Sequence, residues 1–107
     1  MNDARFVYMT ASGTAEARTI GRALVEERLA ACVNILPVMA SLYWWEGAVR
    51  EDEETVFIAK TREHLVDALT ERVGELHSYD CPCVVALPIV GGNPAYLAWL
   101  AGNTREE

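Results

Sequence analysis

The chain has 107 residues, is 51 % apolar and 23 % charged, and carries a formal net charge of −7. That apolar share argues against a disordered chain, and the acidic balance argues against a nucleic-acid binder or a ligand of anionic membranes. No apolar run approaches the roughly 20 residues that span a bilayer. The opening MNDARFVYMTAS lacks the basic-then-apolar pattern of a secretion signal. Three cysteines, an odd count, then fit free thiols in a reducing cytoplasm.

In chain order, RFVYMT at 5–10 is apolar and β-rich and predicts a strand. ASGT at 11–14 breaks it, with Thr14 the expected cap of a helix and Glu16 in the first turn, where the helix dipole favours a negative charge. Ala17, Ile20, Leu24 and Ala31 follow on one helical face. CVNILPVMASLYWW at 32–45 is a long extended segment in which Pro37 marks a bulge or an edge. Glu46-Gly47 turns the chain, and 48–60 returns antiparallel, polar near the turn and apolar at Val56–Ala59.

Thr61 is the expected cap of a second helix over 61–77, with Leu65, Leu69, Val73 and Leu76 as its buried stripe. HSYDCPC at 77–83 connects to a fourth strand at 84–90. Asn93-Pro94 then reads as a cap and first position of a short helix to about Leu100, with Gly102 as its stop. The order β-α-β-β-α-β plus a terminal helix is the split βαβ pattern of the α+β, ferredoxin-like fold, with an antiparallel sheet in a single domain over 1–107.

Trp44 and Trp45 pose a packing problem in that fold. Side chains alternate along a strand, so one tryptophan is expected to face the core and the other the sheet face without helices. A second copy of the chain would cover that face, which predicts a homo-oligomer; a long loop over one tryptophan is the alternative.

The connector groups His77, Asp80, Cys81 and Cys83, donors that suit Cu(I) or Zn²⁺, while two thiols around a turn is the purely structural reading. Cys-x-Cys is tighter than the usual finger spacing, so a neighbouring copy would complete such a site. Cys32 reads as a small buried hydrophobe, and His64 is assigned no role. Ser12-Gly13-Thr14 ahead of a helix reads as capping rather than anion binding. Asp52, Glu53 and Glu54 read as a solvated hairpin face. No nucleophile elbow or phosphate-binding glycine fingerprint occurs, so neither an enzyme nor an organic cofactor is expected.

The segment LVEERLAACVNILPVMASLYWWEGAV at 24–49, with KT at 60–61, HSYDCPC at 77–83 and GGNPAYLAWL at 91–100, resembles the CutA divalent-cation tolerance family over nearly the whole chain. The resemblance implies a non-enzymatic, cytoplasmic homotrimer with hairpins pairing between subunits, active in tolerance of copper and other divalent metals and binding metal ions. The family connector has proline and glutamate where this chain has Ser78 and Cys83. Its proposed copper ligands correspond here to Met9, Leu76 and His77. Met9 can ligate Cu(I) through its thioether and Leu76 cannot. With the connector donors, the metal candidates become Met9, His77, Cys81 and Cys83. The architecture also resembles the PII signalling proteins. Lys60, Tyr43, Trp45 and Tyr79 match the family motif and would line a cleft between subunits for a small anion or aromatic ligand. The alternative is a lysine snorkelling over aromatic packing. An unidentified protein partner is the third possibility.

Overall fold

The computed structural model describes residues 3–107. The chain runs β1 (Ala4–Ala11), α1 (Thr14–Glu26), β2 (Cys32–Trp45), β3 (Ala48–Arg62), a 3₁₀ turn (Glu63–Leu65), α2 (Val66–Leu76), β4 (Val84–Pro88) and α3 (Pro94–Gly102). The strands form one four-stranded antiparallel sheet in the order β2-β3-β1-β4. This is the split βαβ arrangement expected from the element order.

Parity along the paired strands sorts the side chains. Val7, Met9 and Ala11 of β1 sit on the same face as Phe57 and Ala59 of β3 and Val33 and Ile35 of β2. These residues pack against Ala17, Ile20 and Leu24 of α1 and Leu69 and Val73 of α2, making the main core. Phe6, Tyr8, Leu36, Ile58, Val85 and Leu87 lie on the opposite, open face. Among the described residues, α3 is the helix that approaches that side. Leu100 packs with Ala4 and Ala31 in a second small cluster.

The β2–β3 hairpin closes with Trp45 opposite Ala48, and Glu46 (φ 50°) and Gly47 (φ 79°) are both left-handed. That is a two-residue type I′ turn, whose twist matches the strands. Pro37 lies where the β2–β3 register slips between Leu36 and Met39, on an edge strand, so both expectations for it hold. Thr55 Oγ1 donates to the Pro37 carbonyl at 2.7 Å and ties the bulge to β3.

Four expectations shift. Thr14 is the first helical residue rather than the cap: Gly13 takes that position, and Glu16 reaches back to accept from Ser12 N (3.0 Å) and Oγ (2.8 Å). Ala31 lies beyond α1, because the chain turns through left-handed Arg28 and Leu29 and Ala30 donate back to the Leu24 carbonyl. Thr61 stays in β3, opposite Arg5, with its buried hydroxyl donating to the Leu29 carbonyl at 2.6 Å. The second helix therefore starts later, after the 3₁₀ turn. β4 ends at Pro88 rather than at residue 90. Asn93 caps α3 as expected, its Oδ1 accepting from Ala95 N at 3.0 Å, although Gly102 is the last helical residue and Asn103 the C-cap.

The tail beyond α3 is held by Arg62, whose guanidinium donates to Thr104 Oγ1 (2.8 Å), the Arg105 carbonyl and Glu106. His64 Nε2 lies 3.1 Å from the same Arg105 carbonyl. Among the described residues no helix is long and apolar enough to cross a membrane.

Candidate functional site

The connector after α2 is fixed at its start and open at its end. His77 is the C-cap of α2, and its side chain is fully buried. Its Nε2 lies 2.8 Å from the Thr10 carbonyl, and its Nδ1 accepts from Tyr79 N at 3.1 Å. Those partners assign the neutral Nε2–H tautomer and leave neither nitrogen for a metal. The ring packs on Tyr79 at 4.6 Å between centroids.

Glu16 holds this stretch from the start of α1, accepting from Ser78 N at 2.7 Å as well as from Ser12. Desolvation pushes its pKa up, but the hydrogen bonds from Ser78 and Ser12 outweigh it and bring the value down to about 2. Tyr79 OH donates to Glu54 Oε2 at 2.9 Å. Burial first, then the Glu54 carboxylate, push the phenol up to about 12.

Cys81 and Cys83 follow as exposed free thiols. Cys83 is exposed as a residue while its sulfur is partly shielded; that desolvation, followed by the Glu54 charge, raises its pKa. A free thiolate is thus disfavoured there, and a cation would reverse the balance.

Met9 lies elsewhere. It is fully buried, between Phe57 and Val84 in the sheet register. The expected quartet of Met9, His77, Cys81 and Cys83 does not come together in one chain: the thioether is in the core and the imidazole is bonded at both nitrogens. Among the described residues, no three His, Cys, Asp or Glu side chains gather as a metal cage.

The four cleft candidates also separate within the chain. Tyr43 OH donates to Asp52, and that bond, then burial, raises the phenol's pKa. Tyr79 is bound to Glu54, two residues along β3. Lys60 pairs with Cys32, whereas Tyr43 pairs with Arg50, so the lysine lies ten residues of β3 away. At the strand rise that is roughly 33 Å. Lys60 Nζ instead lies 2.9 Å from Asn34 Oδ1 and 5.6 Å from the centre of the Tyr96 ring.

Cys32 is half-buried on the open face rather than enclosed, with its sulfur 3.4 Å from Tyr96 OH. That contact, with burial, takes the Tyr96 phenol up to about 12. Sequence reasoning missed this Cys32–Tyr96–Lys60 group. Strand parity could have put Cys32 and Asn34 on the same face as Lys60; nothing in the sequence placed α3 above them.

Neither tryptophan meets the core of its own chain. Trp44 is 75 % exposed and Trp45 53 % exposed, at the hairpin tip beyond the reach of the helices. Trp45 continues the open face with Met39, Ser41 and Tyr43; Trp44 continues the other with Leu42 and Val49. The expectation of one tryptophan in the core fails because the strands outrun the core. Leu36, Val85 and Leu87 extend the uncovered apolar surface along the open face.

The family profile described as "CutA1 divalent ion tolerance protein" matches residues 5–103. The chain belongs to the CutA1 divalent ion tolerance family. It is 53 % identical over 98 residues to the "Divalent-cation tolerance protein CutA" of Thermus thermophilus, covering 92 % of this chain and 95 % of that one. It is 52 % identical over 100 residues to "Protein CutA 1, chloroplastic" of Oryza sativa, covering 94 % of this chain and 56 % of the relative. The chain therefore spans about half the length of the plant relatives it matches. Among solved structures, CutA1 from Oryza sativa superposes with a TM-score of 0.96 at 49 % identity, covering 99 % of this chain and 97 % of that one. The Thermus thermophilus Cut A1 structure superposes at 0.93 with 51 % identity, covering 95 % and 99 %. The α+β fold of this chain is thus that of the solved CutA1 structures.

Proposed function

We propose that the chain works in divalent-cation tolerance as a non-enzymatic homotrimer that binds soft metal ions, copper or zinc, through the connector thiols Cys81 and Cys83. The observation that carries this reading is the pair of exposed free thiols on a connector anchored by Glu16 and Tyr79, beside an uncovered apolar sheet face. Two thiols are too few for the tetrahedral site zinc prefers, and Cu(I) binds thiolates strongly at low coordination. Copies packed through their open faces supply further donors and cover Trp45, Leu36 and Leu87 together. His77 and Met9 keep structural roles, the first positioning the connector and the second filling the core. Three free thiols in the chain favour a reducing compartment such as the cytoplasm.

Native mass spectrometry after incubation with Cu(I) or Zn²⁺ under reducing conditions tests both parts. A trimer with whole-number metal occupancy, lost in Cys81→Ser/Cys83→Ser, is the expected result. A monomer removes the assembly. A trimer whose metal uptake is unchanged by the double substitution removes the thiol site.

A further inference from the structure

On the helix side of the sheet, an open trough of about 380 Å³ runs between α1 and the first half of β2. Its α1 wall is Arg18, Gly21, Arg22, Val25 and Glu26, which recur at steps of three and four and so share one face. Its floor is Val33 and Ile35, the β2 side chains that point to the helices. Gly21 lets α1 lie close to β2 here: a Cβ at that position would stand 3.0 Å from Val33 Cγ1, tighter than an ordinary contact.

The charge arrangement is unusual for so acidic a chain. Two of its nine basic side chains stand one turn apart at the same mouth, against a net charge of −7. Arg22 pairs with Glu26 at 3.5 Å, with both side chains largely exposed, a weak contact. Arg18 has no carboxylate partner among the described residues. Val25, one turn on, leaves apolar surface exposed. The trough thus sets two arginines beside aliphatic surface, with Arg18 and Val25 about 10 Å apart along the helical rise and the Glu26 carboxylate next to Val25.

We propose that this trough binds a small organic carboxylate with a short aliphatic body, its head group held by Arg18 and Arg22 and its tail lying on Val25, Val33 and Ile35. Guanidinium forks suit a carboxylate, and the volume lies within the range of small-ligand sites. The length favours a single short chain over a folded or bulky one. Glu26 opposes the ligand by competing for Arg22. The site lies on the face away from the open sheet surface, so the inference stands apart from the metal reading.

Titration of ¹⁵N-labelled protein with octanoate, followed by amide chemical shifts, tests it. Saturable shifts confined to Gly21, Val25, Val33, Ile35 and their neighbours are expected. The pair Arg18→Gln/Arg22→Gln should weaken octanoate at least about tenfold, with spectra otherwise unchanged. Glu26→Gln should tighten it. Octanol, with the same tail and no charge, and inorganic sulfate, with charge and no tail, should each bind more weakly than octanoate. Shifts scattered over the surface, equal binding of sulfate, or an unchanged affinity in the double arginine variant would each overturn the proposal.

Discussion

The two halves of the β2–β3 hairpin share strands, register and twist, yet meet opposite environments. At the base, Phe57 and Ala59 are fully buried under the helices. At the tip, Leu42, Trp44, Trp45 and Val49 are exposed, beside Glu51, Asp52 and Glu53. The base is folded by its own chain. The tip holds its shape through ladder hydrogen bonds and a type I′ turn, and its apolar surface is left uncovered by its own chain. An apolar strand residue is thus no guide to a core position unless an element of the same chain reaches it.

Four substitutions probe that contrast, in order of expected effect. Phe57→Ala opens a cavity in the core and should cost about 3–5 kcal/mol, seen as a large drop in melting temperature at every protein concentration. Trp45→Ala should cost about 2–3 kcal/mol through assembly instead. Its melting temperature should fall further on dilution, and its mass by light scattering should shift toward monomer. A loss independent of concentration would place Trp45 with the base rather than the tip.

Glu16→Gln removes a charged acceptor and should cost about 1.5–3 kcal/mol in chemical denaturation at neutral pH. The pH dependence has a definite sign. The native carboxyl titrates near 2 and its ordinary value is 4.5, so between these the unfolded chain binds more protons. The Glu16 contribution is therefore complete above about 4.5 and is lost as pH falls toward 2. The Gln variant should lack that part of the acid limb. Gly47→Ala is the mildest, at about 1 kcal/mol, because alanine must take φ +79° in the turn. The tip should loosen, with faster amide exchange at Trp45 and Ala48, while the base keeps its protection.

Much of this fold was legible because the signals are local. Helical spacing marked α1 and α2, β-rich apolar runs the strands and the Asn93-Pro94 cap α3, while the 3₁₀ turn at Glu63–Leu65 had no signal; β2 matched from Cys32 to Trp45, and Pro37, Glu46-Gly47 and Asn93 acted as their chemistry requires. Thr61 misled because a β-branched residue with a buried partner at the Leu29 carbonyl serves a strand as well as a helix cap. Thr14 misled because Glu16, two residues on, closes the helix start through Ser12. The candidate sites were less legible. His77, Cys81 and Cys83 are neighbours in sequence, yet the imidazole turns inward onto Thr10 while the thiols stay exposed, a difference set by tertiary partners. Tyr96 reached Cys32 across 64 residues, and no periodicity announces such a contact.

The bulge at Pro37 bears on how the chain avoids self-templating. A long, apolar edge strand invites other chains to add to it without limit. Proline offers no N–H, and the register slip beside it divides the outer edge into Cys32–Leu36 and Met39–Trp45, so no uninterrupted row of donors runs along the whole strand. A chain with this much exposed apolar strand surface gains from such an interruption. Pro37→Ala, which restores an N–H donor to the edge, should form thioflavin-positive fibrils on agitation where the unaltered chain stays clear.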